Sequence, residues 1–203
     1  GVFALSMAQL APMLVDALLL LATPWDFSTP DSPSVALPGP TTLLLRQFLG
    51  SVNPVPSSVI NLFFHLIDPW AIQQRYAKFP DLTAQERQHF LAVEHWLNDG
   101  IPLTSRVALE TFVDWPQGNL LHKGAFKIGR SWLSPEAVKC PSLVVIPEHD
   151  RIVPASCALP LTERLRRCDI LQPSLGHVSM VASARARAEV WQPVADWLQA
   201  RFR

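Results

Sequence analysis

The feature that most constrains this chain is a run of four consecutive apolar residues, Leu143, Val144, Val145 and Ile146, followed at once by Pro-Glu-His-Asp-Arg. A strand that is apolar at every position has no face to give to water. It fits a parallel sheet covered by helices on both sides, not an antiparallel sheet with one wet face. The charge that follows, Glu148, His149 and Asp150, therefore sits just past a strand's carboxyl end, where open α/β sheets gather their functional groups.

The rest of the C-terminal third repeats the pattern. A helix is expected over about residues 155–165, a strand over 169–171, a loop over 172–178 and a final helix. Val190, Trp191, Val194, Trp197 and Leu198 recur along that last helix with the 3.6-residue period of an apolar stripe. Strand–helix–strand–helix implies parallel pairing. At the other end, residues 2–13 read as a helix and the apolar run 17–22 as a buried strand ending in Thr-Pro-Trp-Asp-Phe-Ser.

The segment between has a different texture. Residues 28–58 carry Pro30, Pro33, Pro38, Pro40, Pro54 and Pro56 around one helical stretch, 42–49. Helices are then expected over 59–66 and 105–113. Another begins at Thr83, with Glu86 three residues on in the spacing of a capping box. It continues through Phe90, Val93, Trp96 and Leu97, and Gly100 ends it. The expected fold class is α/β, with residues 1–30 and 134–203 forming the core and 31–133 a helical cap insertion.

Composition excludes several function classes. Seventeen basic and seventeen acidic residues balance, with no basic stripe for nucleic acid. Three cysteines, Cys140, Cys157 and Cys168, include no CxxC pair and fit a reducing, cytoplasmic setting. The longest apolar run, 17–22, is too short to span a bilayer. His89 and His95 are six residues apart and share no helix face, so no metal site is expected.

Asp150 lies past one strand end, and His177 lies past the next, in Leu-Gly-His-Val. On neighbouring parallel strands the two can meet. A carboxylate beside an imidazole fixes its tautomer and stabilises its charged form. Such a pair serves a nucleophile, which in α/β-hydrolases precedes the acid and the histidine in the chain, on a strand-to-helix elbow of the type G-x-S-x-G. No glycine pair here frames one: Gly129-Arg130-Ser131 lacks the second glycine, and the cysteines fall in the wrong places. The opening Gly-Val-Phe-Ala-Leu-Ser reads as the helix after such an elbow, entered late. The expectation is a nucleophile just ahead of Gly1 and a chain that is the C-terminal part of a longer enzyme.

These residues, in order, resemble the polyhydroxyalkanoate synthase family within the α/β-hydrolase superfamily. GVFALS resembles the tail of its G-x-C-x-G-G elbow, and ATPWDFS its strand followed by T-P-x-D-F. FLAVEHWLNDGIPL resembles its Trp-centred cap helix. KGAFKIGRSWLSPEAVKCPSLVV resembles its hairpin and lead into the acid strand. EHDRIVP resembles its D-H-I-V-P, and SLGHVSMV its G-H-I motif. The resemblance implies Asp150 as catalytic acid and His177 as catalytic base, with Asp150 also activating an incoming 3-hydroxyl. Arg151 and Ala155 depart from the family's usual histidine and tryptophan.

The implied activity is an acyltransferase polymerising (R)-3-hydroxyacyl-CoA through a cysteine thioester. Coenzyme A enters as substrate, and no cofactor is implied. The implied partners are the acyl-CoA, the polyester chain, and a second copy or a second synthase subunit, at a cytoplasmic polymer-granule surface. The alternatives are a serine esterase or intracellular depolymerase of the same superfamily, and a non-catalytic granule-binding fragment. Asp26 is expected to make a structural hydrogen bond to its loop, His149 to have no functional role, Glu148 to be a solvated loop acid, and Trp96 and Trp115 to pack in the cap. The chain alone is expected to be inactive and poorly soluble, with an apolar sheet edge bare.

Overall fold

The apolar run near the start forms strand β1 (Leu18–Leu21) in a computed structural model that describes residues 1–32, 39–67 and 69–202. Before it comes helix α1 (Val2–Leu10). The helix stops three residues short of the expected end because Ala11 precedes Pro12, and a residue before proline is pushed out of the α region. Pro12–Leu14 makes a 3₁₀ turn instead. Pro33 and Pro38, part of the proline-rich run, lie outside the described residues.

The chain divides into two compact units: Gly1–Leu37 with Asp114–Arg203, and Pro38–Val113. Among its described residues the second is helical apart from turns and an isolated antiparallel bridge of Val55 with Leu103: α2 (Gly39–Ser51), α3 (Ser57–Ile67), α4 (Pro69–Ala77), α5 (Ala84–Asn98) and α6 (Ser105–Leu109). Helix α4 was not foreseen in the sequence. The capping box is present: Glu86 N–H donates to Thr83 Oγ1 and Thr83 N–H donates to Glu86 Oε2 at 2.8 Å. The unit's core is small, built on Leu49, Val55, Ala108 and Val113. Trp96, expected to pack, is 60 % exposed, so α5 presents its indole to solvent rather than to a core.

The insertion is shorter than its expected span of 31–133. Residues 114–133 belong to the first unit, where Leu121, Phe126 and Leu133 enter its core. Trp115 follows them there, 4.8 Å from Phe126 between ring centroids. This segment holds α7 (Trp115–Gly118) and the hairpin β2 (Lys127–Ile128) with β3 (Ser131–Trp132). Then come β4 (Ser142–Val145), α8 (Ala155–Arg164), β5 (Cys168–Leu171), α9 (Ser179–Ala182) and α10 (Gln192–Phe202). The expected helices at 105–113 and near 190 each include a wide π turn, Glu110–Asp114 and Arg187–Trp191. Each turn lies just before a proline, Pro116 or Pro193, whose ring cannot donate a backbone bond and crowds the carbonyl four residues back.

The sheet order is β1-β4-β5, all parallel, with Leu21 opposite Val145 and Val145 opposite Leu171. The central strand is buried at every position, Ser142 included, with Leu143, Val144 and Val145 as its apolar residues. Helix α1 packs Val2, Leu5 and Ala8 into this core but exposes Phe3, Met7 and Leu10, next to exposed Met13 and Leu14. The solubility expectation concerns the sheet edge, and the outer strands of this sheet are β1 and β5. No helix among the described residues is long and apolar enough to cross a membrane.

Two outcomes are expected. Leu20→Ala, at a position with no solvent exposure, costs about 2–5 kcal/mol in denaturant unfolding, whereas Met13→Ala at the surface stays within about 0.5 kcal/mol. The second concerns Glu136. Burial would raise its pKa, but hydrogen bonds from Arg164 and Ser134 outweigh that and bring it from 4.5 to about 2. A depressed carboxylate stabilises the fold above its unfolded pKa and loses that contribution as pH falls through the folded one. Unfolding midpoints measured between pH 4.5 and about 2 should fall less steeply with acid in Glu136→Gln than in the parent.

Candidate active site

The acid loop and the histidine loop continue the pairing of β4 with β5 beyond the strands themselves. Ile146 N–H donates to Leu171 O, Glu148 N–H to Pro173 O and His149 N–H to Leu175 O. The loops are thus laced by backbone bonds up to the residues that matter. Gly176 lies at the crossing, where a Cβ would come within 3.3 Å of His149 O. Its N–H donates to Ser179 Oγ at 2.7 Å, which sets the turn that carries His177 into α9.

The result is an acid–imidazole pair. His177 Nδ1 lies 2.7 Å from Asp150 Oδ2, and because a carboxylate only accepts, Nδ1 carries the proton. Asp150 Oδ1 accepts from Ile152 N–H at 2.9 Å and Val153 N–H at 2.8 Å. The Asp150 side chain is fully buried, while that of His177 is 33 % exposed. A buried carboxylate needs such donors around it. With Nδ1 committed to Asp150, Nε2 is left as the proton acceptor, and the imidazolium formed on accepting would face a negative charge. Among the described residues no hydroxyl or thiol hydrogen-bonds to Nε2.

The other residues singled out in the sequence sit elsewhere. His149 points away from Asp150 and meets Ser174 Oγ through Nε2 at 3.2 Å, and Glu148 is exposed. Asp26 is buried in a polar cluster of its own. Its Oδ1 accepts from Ser28 N–H, Ser28 Oγ–H and Asn119 Nδ2–H, and its Oδ2 lies 3.5 Å from His122 Nδ1. Nothing in the sequence marks Asn119 or His122 for this place, since they lie more than ninety positions away from Asp26 in an irregular loop. His89 and His95 are exposed on α5.

The three cysteines are free thiols. Burial pushes Cys157 and Cys168 up to about 11 and raises Cys140. A nucleophilic cysteine needs the opposite shift. Cys157 lies inside α8, with its carbonyl accepting from Trp25 and Asp26 N–H. None of the three is the group that His177 would activate.

No family model matches the sequence. It is 27 % identical to the poly(3-hydroxyalkanoate) polymerase subunit PhaC of Synechocystis sp., across 99 % of this chain and 56 % of that protein. It is also 27 % identical to the subunit of the same name from Allochromatium vinosum, across 99 % and 58 %. The chain therefore spans a little over half the length of these curated relatives. Among solved structures it is similar to a hydrolase from Pseudomonas aeruginosa (TM-score 0.56, 14 % identity, 97 % of this chain and 60 % of that one). A monoacylglycerol lipase from Paleococcus ferrophilus gives 0.52 at 14 % identity, over 97 % and 63 %. The fold is that of the α/β-hydrolases.

Two variants separate the roles of Asp150. Asp150→Ala strands the Ile152 and Val153 N–H groups and should cost at least about 1–3 kcal/mol in unfolding free energy. Asp150→Asn can keep those two bonds through its carbonyl but presents an amide N–H to His177, which forces the proton to Nε2. Nitrogen-15 NMR of the imidazole should show Nδ1 protonated in the parent and Nε2 protonated in Asp150→Asn.

Proposed function

We propose that this chain carries the acid and base of an acyltransferase that polymerises (R)-3-hydroxyacyl-CoA into polyhydroxyalkanoate. The observation that carries the reading is the Asp150–His177 pair at the carboxyl ends of neighbouring strands, in a chain similar along its whole length to polymerase subunits. Asp150 and His177 are the proposed catalytic residues. The nucleophile is proposed to be a cysteine ahead of Gly1, on the turn that enters α1. Two features favour this. The resident thiols are held in their neutral form, and Gly1 packs so tightly on Thr23 that a Cβ would lie 1.9 Å from Thr23 Oγ1, the close approach expected of an elbow glycine.

The proposed chemistry follows from the free Nε2. His177 takes the thiol proton, and the thiolate attacks the acyl-CoA carbonyl. The carbon–sulfur bond to coenzyme A breaks, and the imidazolium returns its proton to the departing thiolate. In the next half-reaction the same base takes the proton of an incoming 3-hydroxyl, whose oxygen attacks the enzyme thioester and frees the cysteine. Asp150 stabilises the imidazolium at each stage. Coenzyme A is a substrate here, not a resident cofactor. The proposed setting is the cytoplasm at a polymer surface, with a second copy or a second subunit as protein partner.

The test uses the full-length protein with (R)-3-hydroxybutyryl-CoA, following coenzyme A release and polymer together. Acid quenching should trap an acyl thioester on a cysteine outside residues 1–203, and His177→Ala should lower turnover by about 10³- to 10⁶-fold. Release of free 3-hydroxybutyrate without polymer, through an acylated serine, would replace the polymerase reading with a hydrolase. No acylated residue and no turnover would favour a binding role.

A further inference from the structure

Asp26 is the second buried carboxylate beside a histidine, and the Asp150–His177 chemistry leaves it unexplained. It sits where the chain leaves the α/β unit for residues 38–113, and its partners sit where the chain returns. Two side chains bridge these strands of backbone in opposite directions. Asn119 Nδ2–H donates to Asp26 Oδ1 at 2.8 Å, while Asn119 Oδ1 accepts Phe27 N–H at 3.0 Å. Asn119 holds a left-handed backbone, φ 48°, at the end of α7, and is itself buried, so the buckle is built and not incidental. His122 Nδ1 stands 3.5 Å from the other carboxylate oxygen.

The same outgoing segment is fastened to α8. Trp25 N–H and Asp26 N–H both donate to Cys157 O, and Ser156 Oγ–H donates to Asp31 Oδ1 at 2.6 Å. Helix α8 begins directly after the acid loop, whose Val153 N–H holds Asp150. Cys157 N–H in turn donates to Pro154 O, one residue past Val153. Hydrogen bonds joined by short stretches of backbone thus link Asn119 through Asp26 and α8 to the catalytic carboxylate.

We infer that Asp26, gripped by Asn119, is a positioning residue: it buckles the two chains of the insertion's neck to α8, and the alignment of Asp150 against His177 depends on that buckle staying closed. The inference rests on Asp150–His177 being the working pair. It does not depend on which acyl reaction that pair serves.

The experiment is hydrogen exchange by NMR on the full-length protein, for the parent, Asn119→Gly and Asp26→Asn. Asn119→Gly removes the staple without straining a left-handed backbone. Phe27 N–H should exchange about tenfold faster, what losing one ordinary hydrogen bond does to a local opening equilibrium. The His177 Nδ1 proton should exchange about threefold faster or more, with the Val144 and Val145 amides of β4 unchanged. Faster exchange at Phe27 with the His177 proton unmoved overturns the inference, leaving Asp26 a local brace. Unchanged exchange at Phe27 overturns it too, as does uniform acceleration that includes Val144 and Val145. If Asp26→Asn does not fold, Asn119→Gly carries the test. Because the readout is a proton on His177 and not turnover, it stands whether the protein polymerises or hydrolyses.

Discussion

The structure depends on β4 being paired in parallel on both edges and buried along its whole length. Parallel neighbours require a crossover between them, here α8, and the crossover supplies a cover for one face. Parallel pairing also puts all carboxyl ends at one edge. From that follows the meeting of Asp150 and His177, twenty-seven residues apart in the chain and 2.7 Å apart in space. An antiparallel β5 would have carried His177 to the opposite end of the sheet. The functional pair is a consequence of strand direction before it is a consequence of any motif.

What could be read from the sequence divides along the same line. The strand at 143–146 was legible because burial on both faces leaves an uninterrupted apolar run. The one at 169–171 has no such run, with Asp169 and Ile170 exposed, and was legible from its alternation with helices. Asp150 and His177 were legible as the residues past the two strand ends. The capping box at Thr83 was legible because it is local. The insertion's far boundary was not. Leu121, Phe126 and Leu133 enter the core from a loop and a two-residue-per-strand hairpin, and such segments show neither a period of 2 nor one of 3.6. Nor was the Asn119–Asp26 bridge, because a side-chain bond across more than ninety positions leaves no spacing to detect. The two π turns were not legible because an apolar stripe does not show where a proline's cost falls, which is on the turn before Pro116 and before Pro193.

Ordinary and functional polar groups are also separated by how they are satisfied. Asp26 and Asp150 are both buried carboxylates near a histidine. Asp26 spends its Oδ1 on three donors and keeps His122 at 3.5 Å, a distance too long for a strong bond. Asp150 splits its oxygens: two backbone donors anchor Oδ1, and Oδ2 is given wholly to an imidazole whose far nitrogen is open. The first arrangement joins segments. The second holds a base in one tautomer, ready to take a proton.

Gly176 shows how a motif and a packing constraint can be one fact. Glycine beside the histidine does not serve a left-handed turn, since it is not among the glycines with positive φ. Its role is the close approach of the two strand-end loops, where a Cβ would press on His149 O. A Cβ there would require the acid loop's backbone to give by a few tenths of an ångström, in loops that Glu148 and His149 already fix by donating across to Pro173 and Leu175. A residue that carries no Cβ leaves that crossing at rest, one position before the base that Asp150 holds.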